Sequence, residues 1–268
     1  MVSKTAICFR CHYLSEDIIK EYERLASSCD PSLYEVFMVY DNTRKDFSIG
    51  RIRGKKELFD FEDIREMGYR LSETKPIWYN AEYPLLFFFK KHPDYAYYWQ
   101  LDYDAFFNGR WSSFFDAFRD ENADLLAAQL KRPTQEPQWY FWGKHNLDVS
   151  PDRQVGVFYP VTRFSAQGLK FLDEKYKEGH WGHCEVVAPT LLDMNGYKVV
   201  DFGTEYYDSR WFRWRPTLPR QILPFLPEDK LYHPVKNFRS ALSDFFVWSV
   251  IKVGGALKKY LRSLGSRS

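Results

Sequence analysis

Tyr95-Ala-Tyr-Tyr-Trp-Gln-Leu-Asp-Tyr-Asp-Ala-Phe-Phe-Asn108 is the stretch on which the reading of this chain turns. From Tyr95 to Leu101 it is apolar or aromatic except for one uncharged amide, Gln100. A run this rich in Tyr and Trp reads as a buried strand. Two carboxylates follow, Asp102 and Asp104, with one tyrosine between them. Side chains alternate along a strand, so the two aspartates are expected to point the same way. Like charges at the end of a buried strand are costly unless something positive sits between them. A divalent cation carrying a phosphate meets that need, because hard cations prefer carboxylate oxygens. Two solvated aspartates at a strand-to-loop junction are the plain alternative.

Working outward, Thr5–Cys11 reads as a first buried strand, and Ser15 can cap a helix carrying Ile18, Tyr22 and Leu25 at helical spacing. Glu35–Tyr40 is a second strand, ending at Asp41-Asn42-Thr43. A helical segment near 61–71 precedes a short strand at Pro76–Tyr79. Tyr83–His92 is a helix, with Pro84 in its first turn and Pro93 just past its end. Beyond the Asp102/Asp104 strand come a helix at Trp111–Arg119 and a strand at Ala123–Leu130. This alternation predicts βαβ units: an α/β fold with a Rossmann-type, mainly parallel sheet flanked by helices. Ligands bind such sheets beyond the carboxyl ends of the strands. Arg10/His12, Asp41/Asn42 and Asp102/Asp104 all fall at that edge, which points to one shared site.

Residues 131–155 break the pattern. With Pro133, Pro137, Trp139, Trp142, His145 and Pro151 they read as a loop that shapes a pocket. Strand Gly156–Pro160 and helix Ser165–Tyr176 follow. His180-Trp-Gly-His-Cys-Glu185 leads into helix Val186–Met194, stopped by Asn195-Gly196, and Tyr197–Phe202 is a further strand. The expected organisation is a single domain over 1–240 and a tail over 241–268.

A chain of 268 residues suits one large domain or two small ones. Its 45% hydrophobic and 28% charged content is that of a globular protein. The aromatic share, 19%, is high enough to suit stacking on sugars or bases, although aromatic rings also fill cores. A net charge of +2 carries no footprint of a nucleic-acid partner, and none is expected. Neither a signal peptide nor a run long enough to span a bilayer stands out, so a cytoplasmic protein is expected. Cys8 and Cys11 form a C-x-x-C, but within a strand-like run, whereas a redox pair needs the first turn of a helix. No second C-x-x-C completes a zinc site, so Cys8, Cys11, Cys29 and Cys184 are expected to be reduced thiols.

The ordered set of motifs resembles the nucleotide-sugar glycosyltransferases of the GT-A fold. Val39-Tyr-Asp41-Asn-Thr43 is similar to the second-strand turn whose acidic residue contacts the nucleotide base. Leu101-Asp-Tyr-Asp104 matches the D-x-D motif, and Leu231-Tyr-His233-Pro-Val-Lys236 resembles the C-terminal histidine element. The resemblance implies transfer of a sugar from a nucleotide diphosphate, a UDP-sugar first among them, to a glycan or lipid-linked acceptor. It implies Mn²⁺ or Mg²⁺ held by Asp102, Asp104 and His233. Arg10, His12, Asp41, Asp102 and Lys236 would bind the nucleotide sugar, with positive charge from Arg210 to Arg220 adding to the phosphate contacts. Glu185, on a helix start that favours its charged form, would be the general base. Where the family carries an acidic pair, this chain reads His183-Cys184-Glu185, so only Glu185 is acidic. Trp139, Trp142 and Trp181 would stack on the acceptor, and at most one of His180 and His183 would touch ligand.

Two rival readings stand beside this one. A metal-dependent nucleotidyltransferase also uses paired carboxylates, but its first strand usually feeds a glycine-rich loop, and Arg10-Cys-His-Tyr-Leu14 has no glycine. A non-catalytic scaffold is opposed by the intact Asp102, Asp104 and His233. Finally, Phe245 to Arg262 combines bulky apolar residues with Lys252, Lys258, Lys259 and Arg262. That pattern fits a basic amphipathic segment lying on an anionic membrane surface, as on the inner face of a membrane where a lipid-linked glycan is built.

Overall fold

The computed structural model describes residues 4–45, 47–72 and 76–245. These fall into two compact units, one reaching Tyr103 and including Arg110–Tyr206, the other comprising Asp104–Gly109 and the chain from Tyr207 onward. In chain order the elements are β1 (Thr5–Cys11), α1 (Glu16–Ser28), β2 (Tyr34–Asp41), β3 (Lys55–Phe59), α2 (Phe61–Glu66), α3 (Pro76–Tyr79), α4 (Tyr83–Lys91), β4 (Tyr97–Asp102), β5 (Phe106–Phe107) and α5 (Trp111–Asp116). Then come β6 (Leu125–Lys131), β7 (Gly156–Ser165), α6 (Ala166–Lys177), α7 (Cys184–Met194), β8 (Val199–Asp201), β9 (Tyr207–Phe212), β10 (Leu218–Pro219), β11 (Leu231–His233) and β12 (Val235–Lys236).

The larger unit is built on a seven-stranded sheet in the order β3-β2-β1-β4-β7-β6-β8. Its first four strands are mutually parallel, β7 runs antiparallel to both neighbours, and β8 is parallel to β6. The mainly parallel α/β sheet expected from the sequence is therefore present. Both of its faces are covered, which is why its central strands read as unbroken apolar runs. Alternation along β4 shows this directly. Tyr98 packs with Phe88 and Phe89 on one side, and Trp99 with Phe114, Phe115 and Phe118 on the other.

Local sequence explains most boundaries. Ser15 caps α1 by accepting from the Ile18 amide, and Ser165 caps α6 by accepting from the Gly168 amide. Gly68, at φ 78°, ends the helical stretch begun by α2, well short of residue 71. Pro76–Tyr79 is one helical turn rather than a strand; proline's fixed φ suits a first helical position. β3 was not legible in the sequence. It is an edge strand whose Lys55-Lys-Glu57 start is mostly exposed, so the charges that protect a sheet edge hid the strand.

β4 stops at Asp102, because Arg10–Asp102 is the last pair it forms with β1. Tyr103 donates its amide to the Arg10 carbonyl at 3.0 Å and the chain turns there. Asp104 therefore lies beyond the strand, and the alternation argument for a shared face does not reach it.

In the smaller unit β11 lies between β5, antiparallel, and β9, parallel, while β10 pairs with β12. Leu218, Leu223, Tyr232 and Val235 form its core. Asn108 ties it together, its side-chain amide donating to the carbonyls of Leu223 and Leu226. The Val235 amide donates to the Asp104 carbonyl at 2.8 Å, which seats Asp104 beside the β11–β12 turn. Residues 238–245 are helical. The tail from 246 on lies outside the described residues. No helix among the described residues is long and apolar enough to cross a membrane.

Candidate active site

Arg10 and Asp102 close the carboxyl ends of adjacent parallel strands. The guanidinium donates to Asp102 Oδ1 through Nε at 3.0 Å and through Nη2 at 2.6 Å, and its Nη1 donates to the Ala81 carbonyl at 2.8 Å. Burial works to lower the Arg10 pKa, but the Asp102 charge and hydrogen bond, together with weaker influences, leave it raised. Arg10 is therefore a fixed cation with its hydrogen-bonding capacity directed at protein.

Asp102 and Asp104 are two residues apart, so the chain alone keeps their Cα atoms within about 7 Å. In the smaller unit His233 Nε2 faces Asp104 Oδ1 at 3.3 Å. His233 Nδ1 stands 2.9 Å from the Arg213 carbonyl. A carbonyl only accepts, so Nδ1 carries hydrogen and Nε2 is the atom presented to Asp104. Burial would raise the Asp104 pKa, yet the His233 charge and hydrogen bond, with Lys236 behind them, hold it below the usual carboxylate value. Within the smaller unit, a carboxylate and an imidazole whose second nitrogen is fixed by a carbonyl are suitable donors for a hard divalent cation.

The other nucleotide-side residues cluster less tightly. Asp41 ends β2, half-buried, and its Oδ1 accepts from the Thr43 amide at 2.9 Å. His12 is exposed just past β1, its ring 5.1 Å from both Tyr13 and Tyr103. Lys236 pairs with Asp244 at 3.2 Å. Of the basic stretch from Arg210, the first arginine is exposed and spent on Asp208, and Arg220 lies 5.1 Å from the Phe106 ring.

Glu185 is buried in the first turn of α7, where its Oε1 accepts from the Tyr159 amide at 3.4 Å. His183 caps that helix. Its Nδ1 accepts from the Glu185 amide at 3.3 Å, its ring stacks 3.7 Å from Phe141, and burial pushes its pKa down to about 3. It is a neutral structural imidazole. His180 Nδ1 lies 3.1 Å from the Lys175 carbonyl. Trp139 and Trp142 are half-buried in the 131–155 loop, 4.6 Å apart, and Trp142 donates to the Glu136 carbonyl. Trp181 stacks with Tyr79, and the Arg70 guanidinium lies 4.7 Å from its ring centre. The loop reaches α7 through a close passage: a Cβ on Gly182 would stand 2.7 Å from the Lys144 carbonyl. Cys8, Cys11, Cys29 and Cys184 are all buried, and none is in a disulfide.

No family model matches the chain, and no curated protein matches it. Solved structures do. Mouse xyloside xylosyltransferase 1 in its apo form is 14% identical, with 87% of this chain and 97% of that one covered and a TM-score of 0.42. The galactosyltransferase LgtC with donor and acceptor sugar analogs is 12% identical, with coverage of 75% and 74% and a TM-score of 0.46. A CMP:2-keto-3-deoxy-manno-octonic acid synthetase with CTP is 13% identical, with coverage of 75% and 89% and a TM-score of 0.42.

The sequence did not reveal the polar layer behind Arg10. Glu82 is fully buried at the start of α4 and accepts from the Tyr176 hydroxyl at 2.6 Å. Its Oε2, the Tyr159 and Thr162 hydroxyls and both amide atoms of Gln100 are buried without a protein partner. Glu82 looks like an ordinary helix-start glutamate, and only tertiary packing removes it from water. Burial pushes its pKa up to about 7, against the lowering pull of Tyr176 and Arg10. Because the folded-state pKa lies above the unfolded one, the contribution is fully favourable below about pH 4.5. It is lost as pH rises through about 7. His183, with a depressed pKa, slopes the other way below pH 6.5. Glu82→Gln should therefore gain stability relative to the parent as pH rises from about 5 to 8, by on the order of 3 kcal/mol at the alkaline end. Denaturant melts at both pH values test this; an equal difference at the two would show that Glu82 stays ionised in the fold.

Proposed function

We propose that this protein is a divalent-metal-dependent glycosyltransferase, moving a sugar from a nucleotide diphosphate, a UDP-sugar first, to a hydroxyl of a glycan or lipid-linked acceptor. The observation that carries the reading is the Asp104–His233 pair. A half-buried carboxylate has its pKa held down, and an imidazole nitrogen oriented by the Arg213 carbonyl faces it at 3.3 Å. Asp104 and His233 would hold such a cation through a carboxylate oxygen and an imidazole nitrogen. Asp102, one residue removed from Asp104, would complete the donor set.

A cation held there would supply Lewis-acid stabilisation of the leaving diphosphate. Asp41, at the end of the next strand but one from β4, would bind the base or ribose, with the exposed His12 ring beside it. Lys236 would add positive charge for the diphosphate. Glu185 would take the acceptor hydroxyl's proton, helped by the amide-rich start of α7. Half-buried Trp139 and Trp142 would offer rings to the acceptor sugar, and Trp181, already packed on Tyr79, would shape the pocket wall.

Asp104→Asn keeps the shape and removes the charge. It should lower transfer at least 100-fold with the fold intact, measured as nucleoside diphosphate released from a panel of nucleotide sugars with Mn²⁺. Undiminished turnover in excess EDTA would defeat the metal-dependent mechanism. Release of pyrophosphate from a nucleoside triphosphate and sugar phosphate, in place of sugar transfer, would favour nucleotidyl transfer.

Glu185→Gln should lower kcat about 10²–10⁴-fold and leave the donor KM nearly unchanged. A product that keeps the donor's anomeric configuration would remove Glu185 from the role of simple base.

The tail over 241–268, with Lys252, Lys258, Lys259 and Arg262 among apolar residues, would bring the enzyme to an anionic membrane where a lipid-linked acceptor is confined. Co-sedimentation with anionic vesicles should weaken with salt and disappear on truncation after Ser240. A full-length protein that ignores such vesicles at low salt would refute this.

A further inference from the structure

We infer that Glu82, Gln100, Tyr159 and Thr162 enclose a binding site for a small cluster of ordered water inside the larger unit, behind Arg10. Five polar atoms form it: Glu82 Oε2, both amide atoms of Gln100, and the Tyr159 and Thr162 hydroxyls. Each is buried without a protein partner, and the four residues are at most 3% exposed.

Strand register brings these groups together. Across β1, β4, β7 and β6, Cys8 pairs with Gln100, Gln100 with Thr162, and Thr162 with Ala127. Gln100 and Thr162 stand directly opposite in an antiparallel pair, so their side chains share a face with Cβ atoms about 4.5–5.5 Å apart. Their flanking neighbours, Cys8 and Ala127, bring no side-chain oxygen or nitrogen to the row. Two residues further along the strands, on the same face, stand Arg10 and Asp102. Tyr159 lies within range of the charges of Glu82, Cys184 and Arg10. Cys8, Ala127, Tyr159, Tyr176 and Cys184 belong to one buried cluster. Tyr176 donates to Glu82 Oε1, and Oε2 is left to the polar layer.

The donor and acceptor types select the ligand. Gln100 Nε2 only donates, Gln100 Oε1 only accepts, and the two hydroxyls do both. A metal cation would leave Nε2 unmet and would face the Arg10 charge. An anion would leave the Gln100 carbonyl and the Glu82 carboxyl unmet. Water donates and accepts, and satisfies the whole set. Buried waters make about three hydrogen bonds each, so these atoms call for about two of them. Left unmet, five such groups would cost an amount comparable with the whole net stability of a domain. The cluster gives Glu82, which has no exposed surface, groups through which its proton exchanges. It also places exchangeable protons beside the pair that ends β1 and β4.

Oxygen-17 magnetic relaxation dispersion on the purified full chain counts the waters held for longer than the protein takes to tumble. Gln100→Met combined with Thr162→Val keeps the shape of the row and removes three of the five polar atoms. This variant should hold at least one such water fewer than the parent, with an unchanged circular dichroism spectrum. An equal count in the two proteins overturns the inference. If the double variant does not fold, Thr162→Val alone is read by the same two outcomes. A crystal structure of the parent gives an independent reading. Water within hydrogen-bonding distance of both Thr162 Oγ1 and the Gln100 amide supports the site. Gln100 and Thr162 bonded to each other, with no water on either, overturn it.

Discussion

Two parallel strands, β1 and β4, end in opposite charges at the same register, and much of the site is arranged around that fact. Arg10 and Asp102 are the last residues the two strands pair. An arginine at the end of a buried strand is tolerable only with a partner in reach. An aspartate there is tolerable on the same terms. Their mutual satisfaction lets β4 carry a carboxylate to the rim of an otherwise apolar sheet. The Ala81 carbonyl then fixes the guanidinium from the α4 side, so that Asp102 is held by groups from two further elements.

The second carboxylate is supported differently. Asp104 has left the sheet, and its place comes from the Val235 amide on its carbonyl and the imidazole on its side chain. His233 is itself oriented by the Arg213 carbonyl. The two aspartates of one short motif thus answer to separate local networks, one built on a guanidinium and one on an imidazole. This division explains how a D-x-D sequence can hold different roles at its two ends. Asp102 is charge-compensated by Arg10, whereas Asp104 keeps its charge beside the His233 imidazole.

The strands of the main sheet were largely legible because a sheet buried on both faces writes itself as apolar runs. The helix caps at Ser15 and Ser165 were legible for equally local reasons. The edge positions of Arg10, Asp41 and Asp102 followed from strand order alone. What failed had more than one cause. The edge charges of β3 hid it, and proline set the helical turn at Pro76–Tyr79. The departure of Asp104 from the strand is decided by neighbours distant in sequence, the Val235 amide among them. The same is true of His183. Read alone it is one more histidine before a helix; packed against Phe141 and bonded to the Glu185 amide, it becomes the helix cap. The short strands of the smaller unit, two to six residues each, carry too few side chains for any period to show.

The polar layer behind Arg10 extends this logic into the core. Gln100 on β4 and Thr162 on β7 stand opposite each other in the sheet, yet neither side chain has a protein partner. Glu82 is fully buried, with one carboxyl oxygen on Tyr176 and the other unpaired. Buried polar atoms of this kind cost about 1–3 kcal/mol each when unmet, and an apolar layer would be more stable. They occur on the face of the sheet that leads to the Arg10–Asp102 rim, and the Arg10 charge pulls the Glu82 pKa down against the larger rise that burial causes. A low-dielectric surround strengthens every fixed charge within it. Glu82, neutral below about pH 7, leaves the Arg10 cation to Asp102. Were it ionised, the guanidinium would answer to two carboxylates and hold Asp102 less firmly. Burying Glu82 thus costs stability above neutral pH, and below neutral pH it leaves the Arg10 guanidinium to the ion pair at the end of β4.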